Sequence, residues 1–185
     1  LTAAGGKRFR PLLTLLAAEL GDGIDERVVA AAAGVELTHL ASLYHDDVMD
    51  EADVRRGATS ANAAYGNSTA ILVGDLLFGT ASDIVADLGP DAVKIQAQTF
   101  IRLSSGQIRD DRPCPAGTDP VEYCLGVLAD ETGVLIATAA RYGAMFSGGD
   151  EQTIETMREF GERLGVAFQL ADDLIDIESD AAATG

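Results

Sequence analysis

Cations are scarce in this sequence. Its 185 residues hold 13 Lys and Arg against 30 Asp and Glu, a formal net charge of −17. No basic face is available to neutralise a phosphate backbone, which excludes nucleic acid as a partner. Cysteine is nearly absent. Cys114 and Cys124 stand apart with no neighbouring histidine, which excludes a zinc site and leaves two reduced, incidental thiols. No unbroken apolar run reaches the roughly 20 residues that span a bilayer. The chain opens Leu1-Thr2-Ala3 with no signal-peptide pattern. The expectation is a soluble, cytoplasmic protein with no transmembrane segment. No stretch alternates apolar and polar residues as a half-buried strand would, and no repeat, low-complexity tract or linker divides the chain.

What is present is helical. Hydrophobic residues make up 47% of the chain, enough for one globular domain with a real core. Pro11 suits the first turn of a helix that continues through Leu12, Leu13, Leu15, Leu16 and Leu20. Gly21-Asp22-Gly23 is a turn. An alanine-rich helical pattern then runs from about residue 26 to residue 50. Residues 57–67 read as irregular, and residues 71–87 as a buried helix enclosing Asp75, whose charge needs a partner. Pro90 starts a helix through about Gly106. Residues 107–120 hold three of the five prolines and read as a loop. Helices are expected over 121–130 and 132–146, and a long one follows Gly148-Gly149.

The late part of the second helix carries Asp46-Asp47-x-x-Asp50, and the last helix carries Asp172-Asp173-x-x-Asp176. At about 3.6 residues per turn, the first and last aspartates of each motif share a face. No cation lies inside either motif. Carboxylates late in a helix also oppose the negative end of its dipole. A divalent cation gives such an arrangement a reason to exist.

The few cations cluster around these acids. Lys7, Arg8 and Arg10 follow Gly5-Gly6 at a helix start, where backbone N–H groups and positive side chains together suit an anion such as diphosphate. Arg55 and Arg56 follow the first acidic motif. His39 lies seven residues before Asp46 on the same helix face, whereas His45 points elsewhere.

In this order and spacing, Gly-Gly-Lys7-Arg8-Phe9-Arg10-Pro11, His39, Asp46-Asp47-x-x-Asp50, Arg55-Arg56-Gly57 and Phe168-Gln169-x-x-Asp172-Asp173-x-x-Asp176 resemble the trans-isoprenyl diphosphate synthases, the polyprenyl synthetases, of medium- or long-chain type. The resemblance covers nearly the whole chain, from Gly5 to Asp180. It implies an all-α fold, an antiparallel helical bundle around a central cavity. It implies one catalytic domain over residues 1–185, partial because the family extends further at both ends, and a homodimer. It assigns Lys7, Arg10, His39 and Arg56 to the diphosphate of isopentenyl diphosphate, and Arg55, Thr132 and Gln169 to the allylic diphosphate. The six aspartates Asp46, Asp47, Asp50, Asp172, Asp173 and Asp176 would face one another and share three Mg²⁺ ions. Mg²⁺ favours oxygen ligands and completes its octahedron with phosphate oxygens and water. In the family, departure of the allylic diphosphate leaves a carbocation, the double bond of isopentenyl diphosphate attacks it, a proton is lost and the chain grows by five carbons.

Two positions modify this reading. Glu131 stands where the family usually has a lysine, a charge reversal beside the allylic diphosphate. Ala41, five residues before Asp46, stands where a large aromatic ring stops growth in short-chain members. Leu37 and Gly34 offer no ring either, so the expected product has 20 carbons or more. The other readings are a class I terpene cyclase, against which the matching second motif and the basic start argue, and a catalytically silent partner subunit, which Glu131 favours and the intact acidic motifs oppose.

Overall fold

The protein, seen in a computed structural model, is described over residues 7–55 and 57–178, with residues 176 and 178 described by their backbone alone. Among the described residues eight α-helices follow one another: α1 Phe9–Ala18, α2 Glu26–Met49, α3 Ala61–Tyr65, α4 Asn67–Ala86, α5 Pro90–Asp110, α6 Pro120–Leu128, α7 Val134–Phe146 and α8 Glu151–Glu178. A π-helical turn, Ala129–Gly133, joins α6 to α7. The starts are written in the sequence. Asp25 caps α2 by accepting from the Val28 N–H at 2.9 Å, Pro90 and Pro120 occupy first turns, and Asp150 accepts from the Thr153 N–H at 2.7 Å as α8 begins.

The all-α expectation holds, with corrections of detail. Residues 57–67 are ordered, not irregular. Val54–Arg55 (β1) pairs antiparallel with Ala58–Thr59 (β2), and α3 follows, its start capped by Ser60. A two-residue strand is too short to leave an alternating pattern, so the sequence hid it. Helix α5 runs past Gly106 to Asp110, because nothing between Gln107 and Asp110 breaks a helix before Pro113. The expected break near residue 131 is the π turn inside one continuous helical run.

Helix α7 is the centre of the molecule. Eleven of its 13 residues are buried, as expected of a helix that is apolar on every side. Tyr142 is fully buried in it and donates to the Ala92 carbonyl at 2.7 Å, and burial raises the phenol pKa. Around it pack Ala18 of α1, Val28, Ala31 and Val35 of α2, Val85 of α4, and Ala92 and Ile95 of α5. Helices α2 and α4 run antiparallel. A Cβ on Gly34 would lie 2.8 Å from Val85 Cγ2, and one on Gly74 would lie 2.3 Å from the His45 ring.

Among the described residues two stretches, Asn67–Ala86 and Pro120–Phe146, are long and apolar enough to cross a bilayer by length and composition. This corrects the expectation that none reaches that length. A few charges, Asp75 and Asp83 in the first and Asp130 and Glu131 in the second, break the apolar runs while leaving mean hydropathies of 1.5 and 1.3 over an 18-residue window. Half of the apolar window of the second stretch lies buried, which is the behaviour of a core helix.

Candidate active site

Two cavities adjoin the end of α2 that carries the first acidic motif. The first, about 380 Å³, is mostly apolar and lies between Ser42, His45, Asp46 and Met49 of α2 and Phe100, Leu103, Ser104, Gln107 and Ile108 of α5. The second, about 490 Å³, is lined by Lys7, Arg10, His39, Arg55, Phe168, Gln169 and Asp172. Five candidate residues for one diphosphate or the other, Lys7, Arg10, His39, Arg55 and Gln169, thus meet in one basic pocket that Asp172 of the second motif also lines. Arg10 Nη1 lies 3.1 Å from His39 Nε2. The Phe9 and Phe168 rings stack with centroids 5.6 Å apart, and Lys7 Nζ sits 5.5 Å from the Phe168 centroid, an arrangement that orients the ammonium by cation–π attraction. The sequence alone assigns Phe168 no role; the signal for it is its place beside Gln169 in the second motif. Arg56 and the side chain of Asp176 lie outside the described residues.

The aspartates of the first motif differ. Asp46 is half-buried at the rim of the apolar cavity. Burial raises its carboxyl pKa to about 6, reinforced by Asp50 and Asp47 and opposed by Arg55 and His45. Asp50 is exposed at the helix C-cap. Asp47 is fully buried and faces inward. Its Oδ1 accepts from Arg55 Nε at 2.5 Å, while its Oδ2 is buried without a hydrogen-bond partner. Asp47 therefore anchors Arg55 rather than facing the rim with Asp46. Across the site, Thr132 Oγ1 donates to Gln169 Oε1 at 3.0 Å, and Gln169 Nε2 donates to Asp173 Oδ1 at 2.8 Å. This chain ties the π turn to the second motif. Among the described residues, no three acidic, histidine or cysteine side chains stand close enough to hold a metal by themselves. The donors nevertheless suit Mg²⁺: they are carboxylate oxygens, and the half-buried Asp46 is crowded by like charge that a cation would relieve.

A family model described as polyprenyl synthetase matches residues 1–185. The chain belongs to the polyprenyl synthetase family. It is 52% identical over 98% of its length to a nonaprenyl diphosphate synthase of Mycobacterium tuberculosis, covering 55% of that protein. It is 42% identical, over 98% of its length and 56% of the relative, to a dimethylallyltranstransferase of the same organism. Among solved structures, a polyprenyl synthase from Caulobacter crescentus complexed with calcium and isoprenyl diphosphate superposes with a TM-score of 0.92 at 35% identity, over all of this chain and 57% of that one. The chain spans about half the length of the curated relatives it matches.

The position that the family resemblance ties to chain length, Ala41, can be placed against the cavities. Ala41 is fully buried and is not among the cavity-lining residues. Gly34, Thr38, Ala41 and His45 fall on one stripe at helical spacing. Gly34 and His45 both pack on α4, so Ala41 belongs to the α2–α4 seam. Ser42 is the residue that reaches the cavity. Phenylalanine at Ala41 is expected to overpack the seam and cost about 1–3 kcal/mol. Phenylalanine at Ser42 should leave the unfolding midpoint in place and shift the products shorter. Urea denaturation and chromatographic product analysis of both variants check this; a stable Ala41→Phe protein with shorter products would restore Ala41 as the lining residue.

Glu131 is half-buried on the π turn, and its Oε1 has no hydrogen-bond partner. Burial, then Asp110, Asp46 and Asp111, raise its pKa from 4.5 to about 7 against the opposing charge of Arg109. The folded state therefore binds this proton more tightly than the unfolded one. The resulting stability is fully present below pH 4.5 and is lost as pH rises through about 7. Screening at this half-exposed site reduces the effect to about 1–2 kcal/mol. Glu131→Gln should flatten stability between pH 5 and 8 in chelator-treated protein and raise it at pH 8. Equal pH slopes for the two proteins in urea titrations would remove Glu131 as the source.

Proposed function

We propose that this chain carries the active site of a trans-prenyltransferase that condenses an allylic diphosphate with isopentenyl diphosphate to give a polyprenyl diphosphate of 20 carbons or more. The observation that carries this reading is the pair of cavities at the end of α2, one basic and one apolar, with Asp46 on the rim of the apolar one. Substrates with anionic heads and hydrocarbon tails need both. In this reading Lys7, Arg10 and His39, with Arg56, bind the diphosphate of isopentenyl diphosphate. Arg55, held by Asp47, acts with Thr132 and Gln169 on the allylic diphosphate. Asp46, Asp50, Asp172, Asp173 and Asp176 would hold three Mg²⁺ ions, whose chemistry when bound is to stabilise the charge of the leaving diphosphate. The apolar walls contributed by α2 and α5 keep water from the reacting carbons and the growing tail. Domain and setting follow as parts of the proposal: residues 1–185 form part of one catalytic domain, acting in the cytoplasm on water-soluble diphosphates. Cell fractionation of the full-length protein tests the location.

The test is turnover by the purified full-length protein with Mg²⁺. A polyprenyl diphosphate should form only when both substrates are present. A hydrocarbon or alcohol from allylic diphosphate alone would indicate a cyclase, and no product in either case a silent subunit.

The homodimer is proposed through α4 and α5. Leu72, Leu76 and Ile101 are 66%, 68% and 64% exposed on these helices, a run of apolar surface of the kind that marks an interface. Ile71, Phe100 and Ile108 are also exposed and line the apolar cavity, so a second copy seated there would complete its wall. Leu72→Asp with Leu76→Asp is expected to give monomers by light scattering; an unchanged dimer would place the interface elsewhere.

A further inference from the structure

The π turn Ala129–Gly133 is held from two sides. On the α5 side, Arg102, Gly106 and Arg109 form one stripe at helical spacing. Arg102 Nε donates to Asp130 Oδ1 at 2.7 Å, and Arg109 Nη2 donates to Asp130 Oδ2. Arg109 also donates to the Gly126 carbonyl at 2.9 Å, in the last turn of α6. Between the two arginines, a Cβ on Gly106 would stand 2.7 Å from Glu131 Cγ and 3.0 Å from Asp130 Cβ, so α5 sits directly against the turn. On the α8 side, a Cβ on Gly165 would stand 2.6 Å from Gly133 Cα and 3.3 Å from the Thr132 carbonyl oxygen. Arg102 reaches α8 as well, through Glu162, which also accepts from Arg158 at 2.8 Å.

A π turn holds one residue more than the α-helical turn it replaces, and it persists only where the surroundings favour it. Here those surroundings are two glycines that admit close backbone approach and one carboxylate gripped by two guanidinium groups. Two residues beyond that carboxylate, Thr132 meets Gln169, and Gln169 meets Asp173. We infer that Asp130, gripped by Arg102 and Arg109, is a positioning residue that fixes the π turn so that Thr132 engages Gln169 and the second aspartate motif. The inference rests on the prenyl transfer proposed above for its kinetic consequence, though not for its structural one.

The experiment compares Asp130→Asn, Thr132→Val and the double variant in the full-length protein, with Glu155→Gln as control. Glu155 ends the same ion network on the exposed side of Arg158, away from the π turn. Asp130→Asn should raise KM for the allylic substrate about tenfold and leave that for isopentenyl diphosphate within about twofold. Because Asp130 acts through Thr132, the double variant should be no worse than the poorer single one. Amide hydrogen exchange should rise in peptides covering 128–136 and 165–173 in Asp130→Asn and stay unchanged in Glu155→Gln. Additive effects, an equal rise in both KM values, or unchanged exchange over 128–136 would overturn the inference. If Asp130→Asn does not fold, Arg109→Lys keeps the charge but loses the guanidinium geometry that sets Nη2 against both Asp130 and the Gly126 carbonyl, and a weaker form of the same pattern is expected. A wild-type protein without turnover would refute the proposed function, while the exchange comparison would still decide the role of Asp130.

Discussion

Asp46→Ala and Asp172→Ala are each expected to lower turnover about a hundredfold or more, on the order of 3 kcal/mol of transition-state stabilisation. Asp46 stands on the rim of the apolar cavity and Asp172 lines the basic pocket. Each removes a proposed metal-organising oxygen from a different helix, so the two losses should share one symptom. Activity should fall most steeply at limiting Mg²⁺ and recover only partly when the ion is raised. Initial rates over a Mg²⁺ series, with both substrates saturating, measure this. Near wild-type rates at limiting Mg²⁺ in both variants would end the metal assignment.

Arg55→Met should damage the fold as well as the site. Asp47 is 0% exposed and already has one oxygen without a partner, and Arg55 supplies the hydrogen bond to the other. Removing the guanidinium strands a buried carboxylate, a change that costs about 3–5 kcal/mol. Adding Asp47→Asn to Arg55→Met should recover part of that loss, because the stranded charge is then gone. Urea unfolding at one fixed protein concentration gives the three values. A loss below about 1 kcal/mol for Arg55→Met would mean that solvent reaches Asp47 after all.

The helices and both acidic motifs were legible because they rest on local signals: caps, prolines, apolar periodicity and aspartate spacing. The two sides of α2 were not. Period put Asp46 and Asp50 on one face and the resemblance joined Asp47 to them, whereas the inward turn of Asp47 depends on Arg55 arriving from the β1–β2 hairpin, which pairs only two residues per strand. Ala41 and Ser42 differ by one position, about 100° around the helix, and only the path of α4 decides which faces the cavity. Asp75 illustrates the same limit. Its apolar surroundings in the sequence suggested burial, but its side chain is 61% exposed and lies 3.3 Å from His45. The Arg102–Asp130–Arg109 grip joins residues far apart in the sequence, with no spacing to announce it.

The α2–α4 seam has a consequence for how the family member can change over generations. Gly34, Ala41 and Gly74 leave no slack there, since a methyl group at either glycine would collide with the facing helix. The opposite wall, on α5, is built from Phe100, Leu103 and Ile108, large side chains of which Phe100 and Ile108 are 37% and 53% exposed. Mutational drift is therefore channelled: on the seam an added side chain must displace a packed neighbour, the Val85 methyl at Gly34 or the His45 ring at Gly74, and α5 is where side chains can shrink or grow while the scaffold survives. A library randomised on α5 should yield folded proteins with a spread of cavity volumes, whereas one randomised on the seam should yield few folded proteins at all.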